Sequence, residues 1–75
     1  VENFGFVKMR PGVDPIRGDL FLIQTANEGA DHIGIYTGDD RILHQMRNRL
    51  SRHDIYGGSY WQEHTVSHWR HKSRC

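Results

Sequence analysis

The sequence predicts an α+β chain: a small antiparallel sheet of three to five strands with little helix. Three observations predict it. Four consecutive apolar residues, Leu20-Phe21-Leu22-Ile23, lie between Gly18-Asp19 and Thr25-Ala26-Asn27, as in a short strand buried on both faces. Ile33, Ile35 and Tyr36 are followed by the turn residues Gly38-Asp39-Asp40 and then by Ile42-Leu43, the pattern of a hairpin. Gly57 and Gly58 interrupt the stretch in which a long helix would otherwise be sought.

Taken in order, residues 1–16 read as an irregular N-terminal segment. Pro11-Gly12 and Asp14-Pro15 are turn dipeptides, and Phe4 and Phe6 around Gly5 allow one short extended piece. Residues 17–72 hold the sheet. The strand around Leu20-Ile23 is its centre, and Glu28-Gly29-Ala30 reverses the chain into the strand that begins at His32. From Gln45 to His53 the sequence is polar and basic, as in a solvated loop or an edge strand. Ser59 suits a helix N-cap and Gln62 completes a capping box, which predicts one helical turn that packs Tyr60 and Trp61 on the sheet. The stretch from His64 to Lys72 alternates as a final strand, with Val66, His68 and Arg70 on one face and Thr65, Ser67 and Trp69 on the other. Residues 73–75 are expected to fray.

The hairpin carries the most specific chemistry, because His32 begins its first strand and His44 ends its second. Side chains alternate faces along a strand, so the loop length decides whether the two imidazoles meet. A two-residue loop puts them on opposite faces. A three-residue loop, Gly38 to Asp40, pairs Thr37 with Arg41 and Gly34 with His44. His32 and His44 are then diagonal neighbours, roughly 7–8 Å apart and within reach of each other's rings. That geometry is the one expected here, with Asp40 in the left-handed conformation closing the loop.

Composition sets outer bounds. With 75 residues there is room for one small domain at most, and such a chain buries only about 60% of its unfolded surface. Cys75 is the only cysteine, so no disulfide can form within the chain. The sequence therefore looks like a piece of a domain, one that would pair with a second copy or keep loose ends if it folded alone. The net charge of +1 with neutral histidines becomes distinctly positive below about pH 6.5, since there are six histidines. No apolar run is long enough for a membrane-spanning helix, and Val1-Glu2-Asn3 does not open a signal-peptide pattern.

Three constellations carry candidate chemistry. The His32/His44 pair suits general-base work, in which one polar group holds the ring of another in the needed tautomer; alternatively each histidine merely occupies a sheet end. His64, His68, His71 and Cys75 raise a zinc site, but on a strand His64 and His68 stand about 13 Å apart and no cysteine pair precedes them. No metal or other cofactor is expected. Arg47, Arg49, Arg52, Arg70, Lys72 and Arg74 with Tyr60, Trp61 and Trp69 could meet nucleic acid, yet acidic residues nearly balance them and they are split along the chain. No nucleic-acid partner is expected.

Gly18-Asp19-Leu20, Asp31-His32-Ile33-Gly34-Ile35-Tyr36, Gly38-Asp39 and Ile42-Leu43-His44 together resemble the second half of the NlpC-type papain-like cell-wall peptidases. The tail, with Leu50-Ser51-Arg52, Tyr60-Trp61-Gln62 and Ser67-His68-Trp69-Arg70-His71, is most similar to the tail-tip assembly group of lambdoid phages. The resemblance covers residues 17–71. It implies the sheet half of a papain-like fold, without the helix whose N-terminal cysteine attacks a peptidoglycan peptide. It also implies that His32 is the general base and that His44 orients it, while Gly34 leaves room for that helix. Cys75 does not match the family nucleophile. The resemblance thus implies a C-terminal fragment of a peptidoglycan endopeptidase of the virion tail tip, inactive by itself. Its partners would be peptidoglycan peptide, other phage tail proteins and a second copy bound through the uncovered sheet face. The alternative is a structural or binding module of the tail without catalysis.

Overall fold

The computed structural model describes residues 4–25, 32–45 and 51–75. Six strands lie within these residues: β1 (Phe6–Lys8), β2 (Leu20–Ile23), β3 (His32–Gly38), β4 (Arg41–Gln45), β5 (Ser51–Ile55) and β6 (Thr65–His71). One short helix, α1 (Tyr60–Glu63), precedes β6. The strands form one sheet in the order β1-β6-β2-β3-β4-β5, with every neighbouring pair antiparallel. The class is the predicted one, a sheet-rich α+β chain with little helix, but six strands exceed the expected three to five. The extra ones are short and formed by partners rather than by their own pattern. β1 sits inside the segment read as irregular and pairs Phe6 with His71, whose rings meet edge-on at 5.2 Å. β5 is polar and mostly exposed, and it exists as a ladder along β4.

The core lies on one face of the sheet. Alternation sends Phe21, Ile23, Gly34, Tyr36, Ile42 and His44 to that face, and Tyr56 closes over it with its ring stacked on Phe21 at 4.1 Å. Ile23 and Ile42 are fully buried, each contributing about 1.5–3 kcal/mol relative to exposure. The opposite face is less covered. Trp69 is buried there, but Ile33 and Ile35 remain 53% and 42% exposed.

The β3–β4 turn reaches the expected register by a different route. Gly34 pairs with His44, as predicted, but Gly38 rather than Thr37 pairs with Arg41. The loop is the two-residue turn Asp39-Asp40, with φ of 53° and 60°, and the register shifts between Tyr36 and Gly38. Asp is among the few residues that tolerate this left-handed geometry in a tight hairpin turn. The bulge on β3 adds the residue that restores facing, so a two-residue loop still leaves both histidines on one side.

The same turn anchors the strap above the core. The Asp40 carbonyl accepts from the Tyr56 N–H at 2.8 Å, and its carboxylate accepts from the Gly57 N–H at 2.9 Å. A Cβ at Gly57 would lie 2.7 Å from that carboxylate, so the position admits no side chain without rearrangement. α1 then starts as predicted, with the Ser59 hydroxyl accepting from the Trp61 and Gln62 N–H groups. Gln62 reaches back to the Gly58 N–H at 2.6 Å, one residue earlier than an ordinary capping box. Trp61 packs on the core, whereas Tyr60 stays 46% exposed and stacks on His64 instead.

β6 departs from simple alternation. Leu22 pairs with Ser67 and Ile23 with Thr65, so Val66 is an extra residue and is exposed. Thr65 is thereby turned to the core face, where its hydroxyl meets the Tyr56 hydroxyl at 2.6 Å. His68 and Arg70 share that face and Trp69 the other, as the pattern predicts. Beyond β6, where fraying is expected, the chain makes a 3₁₀ turn, Lys72–Arg74, capped by the His71 ring. The predicted turn at Glu28-Gly29-Ala30 lies outside the described residues.

Candidate active site

His32 opens β3 opposite Ile23, and His44 lies opposite Gly34 on β4. They are diagonal neighbours, and their rings close the remaining gap: His32 Nε2 is 2.7 Å from His44 Nδ1, with the ring planes near perpendicular at 80°. Gly34 bears on this geometry through its missing side chain. A Cβ there would meet Ile42 Cδ1 at 3.1 Å and Ile23 Cδ1 at 3.5 Å. The space beside it is filled by the core that supports the histidines.

Behind the pair stand two residues that were given no such role from the sequence. Asp54 lies on β5 opposite Ile42, and its Oδ2 is 2.6 Å from His44 Nε2. Arg52, two residues earlier and opposite His44, grips the carboxylate with both prongs, Nε at 2.8 Å and Nη2 at 3.1 Å. The Arg52 hydrogen bond holds the Asp54 carboxyl below the ordinary carboxylate range, against partial burial and with help from His44. The order is Arg52, Asp54, His44, His32. Trp61 covers it, its ring stacked on His32 at 5.5 Å and set edge-on to His44 at 4.5 Å. His44 is only 2% exposed. A signal for Asp54 and Arg52 was present, since residues two apart share a strand face, but it is readable only once β5 is known to be a strand beside β4.

The sequence matches the NlpC/P60 family over residues 1–70. The chain belongs to the NlpC/P60 family. It is 36% identical over 56 residues to tail tip assembly protein K of Escherichia phage lambda, which covers 75% of this chain and 28% of that protein. It is 38% identical over 58 residues to tail tip assembly protein K of Escherichia phage N15, covering 77% of this chain and 24% of that one. The matched stretch thus spans about a quarter of these relatives' length. No solved structure matches significantly.

The remaining candidates of this NlpC/P60 chain disperse. His68 and Arg70 both turn to Asp19, His68 Nε2 at 2.6 Å and Arg70 Nη2 at 3.0 Å. His64 stacks on Tyr60, and His71 Nδ1 lies 2.8 Å from the Ser73 hydroxyl. Among the described residues no group of three or more His, Cys, Asp or Glu side chains is placed to hold a metal ion. Cys75 is exposed and lies past the His71 end of β6. His32 lies at the other end, since it pairs with Ile23 and Ile23 pairs with Thr65. The length of β6, roughly 20 Å at about 3.3 Å per residue, separates the two. Of the basic residues, Arg52 serves the site and Arg70 serves Asp19, while Arg47 and Arg49 lie outside the described residues.

Proposed function

We propose that His32 and His44 are the base half of a cysteine peptidase site that cleaves peptidoglycan peptides, in a protein of a phage tail tip. The single observation that carries this is the 2.7 Å contact between the two imidazoles, backed by Asp54, on a sheet of the NlpC/P60 family. Two ring nitrogens at that distance share one proton, so one ring orients the other. His32 then takes the proton of an attacking thiol: the S–H bond breaks, an N–H bond forms, and sulfur keeps the electron pair. A nearby imidazolium in turn stabilises the thiolate. Cys75 is too far along the sheet to be that thiol, so another segment or chain supplies it, and residues 1–75 by themselves are expected to be inactive.

The tail tip protein K relatives support a place in a phage tail, with other tail proteins as partners. The protein would be made in the bacterial host cytoplasm and act at the cell wall from the virion. The half-covered face with Ile33 and Ile35 would pair with a second copy, which gel filtration checks directly. A second reading, a tail module without catalysis, is favoured by one observation, the remoteness of the sole cysteine from His32.

Peptidoglycan digestion tests the proposal, with the protein assayed together with the segment that bears the thiol. His32→Ala and His44→Ala should each lower turnover by roughly 10²–10⁴-fold. Full activity in both variants would remove the assignment and leave the non-catalytic module.

A further inference from the structure

We infer that Asp54 decides which nitrogen of His44 carries its proton, and through His44 which nitrogen of His32 is the base. Asp54 is gripped by the two prongs of Arg52, and an ionised carboxylate can only accept hydrogen bonds. The atom it faces at 2.6 Å, His44 Nε2, must therefore donate. A neutral imidazole carries one N–H, so His44 Nδ1 is left as an acceptor. His32 Nε2 faces that acceptor at 2.7 Å and must donate in turn. In neutral His32 the lone pair then belongs to Nδ1.

The other tautomer of His44 fails at the Asp54 end. It would set a lone pair against the Asp54 carboxylate and require His32 to accept at Nε2. Water cannot relieve the mismatch, because the His44 side chain is 0% exposed. An unmet buried polar contact of this kind is costly enough for one tautomer to prevail.

The consequence for catalysis rests on the cysteine-peptidase reading; the proton assignment does not. When His32 takes the thiol proton on Nδ1, both of its nitrogens carry hydrogen. The Nε2–H to His44 contact then becomes charge-assisted. Asp54 acts through His44, its contacts being His44 and Arg52. It is a positioning residue, and Arg52 holds it in place.

The test is long-range ¹H–¹⁵N correlation spectroscopy of the chain labelled with ¹⁵N-histidine, at about pH 8.5, where imidazoles are ordinarily neutral. We expect His44 and His32 each to show hydrogen on Nε2 alone. Asp54→Ala should turn His44 into a mixture of tautomers. Asp54→Asn should keep the wild-type pattern, because an amide oxygen still accepts. Hydrogen on His44 Nδ1 in the wild type, or an unchanged His44 in Asp54→Ala, would overturn the inference. The wild-type spectrum alone is decisive should Asp54→Ala fail to fold.

With the thiol-bearing segment present, Asp54→Ala should lower kcat roughly tenfold or more at constant KM, with partial rescue in Asp54→Asn. Unchanged kcat would overturn the catalytic consequence. Full turnover in His32→Ala and His44→Ala would instead defeat the peptidase reading, while the spectra still judged the proton assignment.

Discussion

Two clusters on one face of the sheet are built from the same three residue types. Asp19 receives His68 Nε2 at 2.6 Å and Arg70, and Asp54 receives His44 Nε2 at 2.6 Å and Arg52. A single register row joins them, running His68, Phe21, Gly34, His44, Arg52 across the strands. They differ in where they sit. Asp19 is fully buried beside the central strand β2, and it also accepts from the Ile16 N–H at 3.0 Å. Arg70 donates onward to the Asp14 carbonyl at 2.9 Å, so this cluster ties the approach to β2 onto β6. Asp54 is on the edge strand with its side chain 22% exposed, and its histidine leads to a second histidine. The same Asp-His-Arg set fastens distant segments at the middle of the sheet and, at its rim, stands behind a pair of contacting histidines. Position in the sheet, rather than composition, separates the two.

The largest expected effect comes from breaking the central cluster. Asp19→Ala should cost about 3–5 kcal/mol in urea unfolding, because it leaves a mostly buried guanidinium without its counter-charge. Asp54→Ala should cost about 1–2 kcal/mol, since water reaches the rim. Equal costs would erase the distinction drawn between the clusters. Gly34→Ala tests the row that joins them: its Cβ would press Ile42 Cδ1 at 3.1 Å. A loss of about 1–3 kcal/mol is expected by calorimetry, with His32 and His44 resonances moving more than that of His68.

Acid sharpens the comparison further. Burial opposes ionisation of Asp19, but hydrogen bonds from Arg70, the Ile16 N–H and His68 outweigh it, and its carboxyl is held below the ordinary 3.8. Asp54 is lowered from 3.8 as well, chiefly by Arg52. A carboxyl lowered in the native state stabilises the fold above its unfolded value, and that contribution fades as pH falls through the native value. Stability measured by urea titration should therefore decline below about pH 4, and Asp19→Asn should flatten the decline more than Asp54→Asn. The smallest effect is expected for Arg52→Ala. Its exposed side chain should leave the unfolding midpoint nearly unchanged while loosening Asp54, visible as broadened His44 signals.

Local signals made part of this legible. The apolar run at β2, the β3 and β4 strands and the Ser59 cap each declare themselves within a few residues, and the resemblance to the NlpC-type peptidases points to His32 and His44 together. The bulge between Tyr36 and Gly38 was hidden, although its outcome, Gly34 opposite His44, was expected. Asp19 was visible as a strand boundary and as part of Gly18-Asp19-Leu20, but not as an anchor for β6, because its partners His68 and Arg70 are 49 and 51 residues away.

By itself the sequence determined the strand-forming segments, the turn chemistry and the presence of two histidines at one end of a hairpin, all of which follow from neighbours in the chain. The fold alone decided that β5 would lie along β4 and so bring Asp54 behind His44. It also decided that Val66 would bulge and Thr65 turn inward, and that Asp19 would face β6. Those outcomes depend on hydrogen-bonded register between strands, and register is set by the packing of one face against a shared core rather than by any short run of residues.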